Sequence, residues 1–222
     1  MKKDLIIFGL GEFAMIANQY FKYDSDYNVV GMVAHQKYIE QKEIEGTSVF
    51  AYENIESEFP SSQVSAYVAI PSSGLNQNRK TIYLEMKAMG YSLASYVSSK
   101  AFCWRNATIG ENTFIFENNV IQPYVEIGNN VILWSGNHVG HRSVIKDHVF
   151  VTSHVVISGY CTIGEQSFLG VNSTFNDKTG VADRCIVGSG SLVTKHLSQS
   201  ESLYMGVPAK KIEGKNVFEI PL

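Results

Sequence analysis

The sequence is short of three things that sort proteins quickly. It has no basic excess: its 222 residues carry 18 Lys and Arg against 21 Asp and Glu, a net charge of −3, which argues against a nucleic-acid partner. It has only three cysteines, Cys103, Cys161 and Cys185, and no Cys-x-x-Cys pair, so neither a disulfide framework nor a thiolate metal site is expected. It has no long apolar run. The stretch that follows Met1-Lys2-Lys3-Asp4 is too short for a signal peptide, and no segment could span a bilayer. These deficits leave a soluble, cytoplasmic chain with no membrane partner, long enough for one large domain or two small ones.

What the sequence does have is a period. An aliphatic residue recurs every six positions from Ile109 through Ile115, Ile121, Ile127, Leu133, Val139, Ile145, Val151, Ile157, Ile163, Leu169, Phe175, Val181 and Val187 to Val193, with Phe175 the one aromatic member. A period of six matches neither a helix stripe nor a lone strand. It matches a parallel β-helix, in which three hexapeptides make one triangular coil, so this run makes about five coils. Two residues before each aliphatic position the side chain is usually small, as at Thr113, Ser143, Cys161, Ser167, Ser173 and Cys185. Strand side chains alternate, so a large and a small residue share the interior. Cys161 and Cys185 are thereby core thiols, while Cys103 lies outside the phase. The position after each aliphatic residue is often Gly (Gly110, Gly128, Gly140, Gly164, Gly170, Gly188), which suits a tight corner. The segment from Ser198 to Leu222 is expected to cap the last coil, because a bare coil end exposes strand edges.

Residues 1–98 have another texture. Leu5 to Phe8 reads as a buried strand, Gly9-Leu10-Gly11-Glu12-Phe13-Ala14 as a turn, and a helix follows through Tyr20. That order opens a dinucleotide-type fold, where glycines let the backbone approach a ligand at a helix N-terminus. Further strands are expected at Tyr27–Val33, Ser65–Ile70 and Tyr91–Tyr96, with a helix from Asn78 to Met89. The end of the second strand carries Ala34 and His35 instead of the acid that a nicotinamide ribose requires, so NAD is not the expected ligand. The chain is thus expected to be of mixed class: a Rossmann-like α/β domain (1–98) and a β-helix domain (99–222).

A small Rossmann-like domain followed by hexapeptide repeats, with Ile6 to Ala14, Asn137 to Gly159 and Gly206-Val207-Pro208-Ala209-Lys210 as its most specific stretches, resembles the hexapeptide-repeat sugar acyltransferases. That group includes N-acetyltransferases of nucleotide-linked 4-amino-4,6-dideoxy sugars and sialic acid O-acetyltransferase-like proteins. The resemblance implies a left-handed coil, acetyl-CoA as cosubstrate, no metal, and a homotrimer with active sites between subunits. It implies N-acetyl transfer to the amine of a nucleotide-linked amino sugar, with O-acetyl transfer to a sugar hydroxyl as the alternative.

In the group a histidine on a coil corner is the base, and His141 in Gly136-Asn137-His138-Val139-Gly140-His141-Arg142-Ser143 matches it. His138 points outward from the same flank, so His141 and His138 are the catalytic candidates. A neutral imidazole is a base suited to neutral pH. Two departures stand out: Arg142 follows the base where an acid is common, and Trp134 stands where an asparagine is common. Glu117 or Asp147 is then expected to orient the ring. His154, Gly159, Gly170, Gly188, Lys195 and Lys210 are the expected cofactor contacts, with the Gly159 N–H a candidate oxyanion donor. Gly9, Gly11, Glu12, Phe13, Ala34, His35 and Ser72 are expected to hold the sugar nucleotide. His148 and His196 are expected to be solvated. The histidine spacings do not match a three-histidine zinc site.

Overall fold

The computed structural model describes residues 2–222, which form two compact units. One runs through Pro71 and again from Arg79 to Tyr96; the other comprises Ser72–Asn78 and Val97–Leu222. No helix among the described residues is long and apolar enough to cross a membrane.

The first unit is built on a five-stranded sheet. Strand β1 (Lys3–Phe8) is followed by helix α1 (Glu12–Tyr23), β2 (Tyr27–Ala34), the hairpin strands β3 (Glu43–Ile44) and β4 (Thr47–Ala51), a short α2 (Ile55–Glu58), β5 (Ser65–Val68) and α3 (Gln77–Ala88). The order is β3-β4-β2-β1-β5. All pairings are parallel except β3 with β4. Leu5, Ile6 and Ile7 are fully buried, as a central parallel strand covered on both faces requires. Of the strand expected over Tyr91–Tyr96, only a single bridge from Leu93 to Ala66 joins this sheet, and Tyr96 opens a separate two-residue strand, Tyr96–Val97. The hairpin was not legible: its polar residues lack alternation, and it turns through left-handed Glu45 and Gly46.

The second unit is a parallel β-helix. Its first face stacks Phe102–Cys103, Val120–Ile121, His138–Val139, Val156–Ile157, Thr174–Phe175 and Leu192–Val193. The second stacks Thr108–Ile109, Glu126–Ile127, Val144–Ile145, Thr162–Ile163 and Gly180–Val181. The third runs from Phe114–Ile115 through Ile132–Leu133, Phe150–Val151 and Phe168–Leu169 to Ile186–Val187. Partners lie 18 residues apart. The aliphatic positions from Ile115 to Val193 are at most 3% exposed, and each such side chain contributes about 1.5–3 kcal/mol by leaving water. Small residues between them bridge coils: the Ser143 hydroxyl donates to Ser158 O (2.8 Å) and accepts the Cys161 N–H (3.0 Å).

Two expectations are corrected. Cys103 is in phase, because it pairs with Ile121 and packs against the core, so the repeat begins before Ile109. The glycines after the aliphatic residues do not supply the turn. The left-handed residue falls two positions later, at Asn112, Asn130, Arg142, Gln166 and their equivalents, mostly without glycine. Gly140 and Gly164 are needed because a Cβ there would stand 2.4 and 2.3 Å from backbone carbon atoms of the next coil.

The tail continues the third face. Leu203–Met205 pairs in parallel with Ile186–Val187, and Lys210–Ile212 returns antiparallel. Val217 then packs with Leu75, Ile186 and Leu203. Leu75 belongs to the excursion Ser72–Asn78, which Asn76 fastens by donating to the carbonyls of Gln166 (3.3 Å) and Ser167 (3.2 Å).

Candidate active site

The β-helix has three corners. The first, between the first and second faces, carries His141. It follows the strand His138–Val139, and left-handed Arg142 (φ 57°) turns the chain into Val144–Ile145. The His141 side chain is exposed. One coil earlier, Gln122 Oε1 accepts the His141 backbone N–H at 2.8 Å and lies 3.3 Å from its Nδ1. One coil later, Gly159 leaves a notch that the imidazole occupies: a Cβ on Gly159 would stand 2.6 Å from Cε1 and 2.9 Å from Nε2. Tyr160 meets the ring edge-on at 5.1 Å. Arg142 lays its guanidinium over the Tyr124 ring at 4.4 Å. A further coil on, Asp177 Oδ1 accepts the Gly159 N–H at 2.7 Å. His138 is half-buried on the flat of the first face, between Val120 and Val156.

Several expectations fail here for definable reasons. The Gly159 N–H is committed to a carboxylate and is no open oxyanion donor. Neither Glu117 nor Asp147 orients His141. Glu117 accepts from Ser135 (2.6 Å) on the third corner, and Asp147 accepts the Asn129 N–H (2.7 Å) on the second. Trp134 stacks flat on Phe116, 4.4 Å between centroids, on the third corner. His148 is not solvated. It is 5% exposed and takes the Asn130 side-chain amide at 2.9 Å, in line with a bond from Asn112 to Asn130 (2.8 Å). His196 is exposed. Sequence reasoning missed Gln122, Tyr160 and Asp177. Their shared signal is spacing: they stand one coil, or two, from His141 along the chain.

The expected cofactor residues divide between corners. Gly159 and Lys195 lie on the first, with His141. His154, Gly170 and Gly188 lie on the third, so one chain does not bring them to His141. His154 is exposed and covers Gly136, where a Cβ would be 2.5 Å from Nδ1. Gly170 and Gly188 are explained by their own neighbours, the Ser189 N–H and the Met205 side chain. Lys195 and Lys210 are exposed and have no carboxylate partner among the described residues, whereas Lys146 pairs with Asp183 (3.0 Å) and Lys211 with Glu213 (2.7 Å). Burial pushes the thiols of Cys103, Cys161 and Cys185 up, away from thiolate. Among the described residues no three His, Cys, Asp or Glu gather to hold a metal ion.

In the first unit Gly9 (φ 134°) donates its N–H to Val33 O at 2.8 Å, and a Cβ would stand 2.7 Å from Ala69 O. Gly11 caps α1 with open space around it, and Glu12 is exposed in the first turn. Phe13 and Ala34 are buried, at 5% and 6% exposure, and so is Ser72 of the second unit, at 5%. Their side chains are therefore packing groups and present little surface to a ligand. His35 stands 3.0 Å from Glu53 Oε1, and Glu53 Oε2 accepts the Gln36 N–H at 3.0 Å. Backbone donors, its own N–H and that of Gln36, and then the His35 ring hold the Glu53 carboxyl below the usual range. The acid absent from the end of β2 thus stands at the end of β4, reached only through the unforeseen hairpin.

Residues 106–141 match the family described as "Bacterial transferase hexapeptide (six repeats)". No curated protein sequence matches the chain. Solved structures do. The acetyltransferase domain of PglB from Neisseria gonorrhoeae FA1090 superposes with a TM-score of 0.85 at 21% identity, over 95% of this chain and 100% of that one. Perosamine N-acetyltransferase from Caulobacter crescentus, in a histidine-to-asparagine variant with CoA and GDP-perosamine, gives 0.83 at 22%, over 94% and 96%. WeeI from Acinetobacter baumannii AYE gives 0.80 at 18%, over 95% and 100%. The three parallel stacks and the hexapeptide repeat fit a left-handed β-helix preceded by an α/β region. The chain carries the hexapeptide repeat and has the fold of these acetyltransferases.

Proposed function

We propose that this protein is an acetyl-CoA-dependent N-acetyltransferase acting on the amine of a nucleotide-linked amino sugar, of the 4-amino-4,6-dideoxy class, with His141 as general base. The observation that carries this reading is an exposed imidazole held on a coil corner by Gln122, Gly159 and Tyr160. It is a base fixed in place yet open to solvent. In the step proposed, the amine nitrogen bonds to the thioester carbonyl carbon, His141 takes the proton that the nitrogen sheds, and the carbon–sulfur bond breaks as that proton passes to sulfur, releasing the CoA thiol. Such a base supplies about 10²–10⁴-fold. The amine attacks directly, since the three thiols are held protonated and two are interior.

The division of residues between corners supports a homotrimer with sites between subunits. The first and third corners border the same first face. Its outward stripe of Phe102, Val120, His138, Val156, Thr174 and Leu192 is apolar at four of six positions, and Phe102 and Val156 are 52% and 39% exposed. Three copies closing on that face bring the third corner of one, with His154, Gly170 and Gly188, against His141 of the next. His138, on the same face, then borders the site and the subunit contact. Lys195 and Lys210, with no acid of their own, suit the phosphates of CoA. The first unit is read as Rossmann-like and as the holder of the nucleotide, with Gly11 giving backbone access at α1, Gly9 allowing the close packing of β1 beside it, and the His35–Glu53 pair meeting the nucleoside.

The test is thiol release from acetyl-CoA against UDP-, dTDP- and GDP-linked amino sugars, for native protein and His141→Ala. Turnover with an amino sugar that His141→Ala lowers at least ~10²-fold supports the reading. An acetyl group found on a hydroxyl of the product and not on its nitrogen makes it an O-acetyltransferase. Near-native turnover by His141→Ala removes the base.

A further inference from the structure

The geometry points to Gln122 as a positioning residue that sets the tautomer of His141, leaving Nε2 as the bare, proton-accepting nitrogen. This deepens the proposed function and rests on it for its catalytic meaning. The tautomer itself is a property of the free protein.

An amide's oxygen and nitrogen are told apart by their partners. Here the partner is decisive. The Gln122 atom beside the ring also receives the His141 backbone N–H at 2.8 Å, and a donor cannot be received by an NH₂ group. That atom is therefore the oxygen, and an oxygen only accepts. The same oxygen is 3.3 Å from Nδ1. A bare Nδ1 would set lone pair against lone pair, so Nδ1 carries the proton. The other nitrogen, Nε2, lies over Gly159 and has no hydrogen-bond partner among the described residues.

The chemistry of the orienting group matters as much as its position. A carboxylate at this place would favour imidazolium. An amide orients the ring without adding charge. The other charged or titratable groups around the ring are accounted for. Arg142 is drawn onto the Tyr124 ring, Tyr160 presents an edge at 5.1 Å, and the Asp177 carboxylate is engaged by the Gly159 N–H. None of them supplies an acceptor to Nδ1, and Gln122 does.

The experiment is long-range ¹H–¹⁵N NMR of the imidazole nitrogens in the full chain without substrates, with the His141 signals identified by their loss in His141→Asn. Native protein is expected to show the Nδ1–H tautomer in the neutral ring. Gln122→Glu keeps an acceptor for the backbone N–H and for Nδ1–H, so the tautomer persists while the ring titrates about one pH unit higher. Gln122→Leu removes the acceptor, shifts the ring toward the Nε2–H tautomer, and lowers kcat about tenfold or more with KM little changed. An Nε2–H ring in native protein, or a tautomer and titration that neither substitution moves, overturns the inference. Should the tautomer be as expected while no acetyl transfer is found with any sugar, the proposed function falls and the role of Gln122 in fixing the ring stands.

Discussion

His141 and His148 occupy adjacent corners of one coil and live in opposite surroundings. His141 is exposed, touches a side chain from the coil before it, and leans over a glycine in the coil after it. His148 is buried and continues a ladder of amides from Asn112 through Asn130. Neither difference is visible in the residues next to either histidine. Each is made by what stands 18 residues away, where the stacked coil offers a notch in one case and an amide donor in the other. A coil corner therefore leaves a histidine open or buries it according to its vertical neighbours.

Four substitutions and one control press on that contrast, in order of expected effect. His141→Ala should cut kcat at least ~10²-fold and leave the circular dichroism spectrum and melting temperature unchanged; a parallel loss of fold would mean that the ring is a packing group like His148. His148→Ala should do the reverse. Removing the partner of a buried amide costs about 1–3 kcal/mol, read as a lower denaturation midpoint, with turnover per folded molecule preserved. Lost turnover in a stable His148→Ala protein would collapse the distinction. Gly159→Ala should lower kcat about tenfold with little change in stability, because the new Cβ meets only a movable imidazole. Gly164→Ala is its control: there the Cβ meets backbone at 2.3 Å, and overpacking costs about 1–3 kcal/mol. Equal stability of the two glycine variants would refute the notch. Smallest is Glu53→Gln, which tests a third histidine setting, paired with an acid. A change of a few-fold in KM for the sugar nucleotide, with kcat kept, is expected from weakening one hydrogen-bonded contact.

Much of this molecule was legible before folding. The hexapeptide phase located the interior from Ile115 to Val193, and the small residues two before it found Cys161 and Cys185. The Leu5–Ala14 stretch announced β1, a Gly-x-Gly turn and α1. His141 was singled out as an outward corner residue, and it is one. Other parts were hidden for physical reasons. The β3–β4 hairpin is short and polar, so Glu53 at its end could not be placed beside His35. Cys103 stands six residues before Ile109 and so was in phase all along, but a series counted on aliphatic residues passes over it. The glycines after the aliphatic positions looked like turn residues, although stacking distance and not dihedral angle demands them.

The amino-acid order alone settled the period, the inward set of side chains and the exposure of His141, because alternation along a strand and the cost of wetting aliphatic groups act between residues close in sequence. Which group would touch each outward side chain was left to the stacked coils. The six-residue repeat constrains only what points in; what points out at one level is free to be Gln122, Gly159 or Asn130 at the next, and hydrogen bonds across that spacing exist only once the chain has wound around.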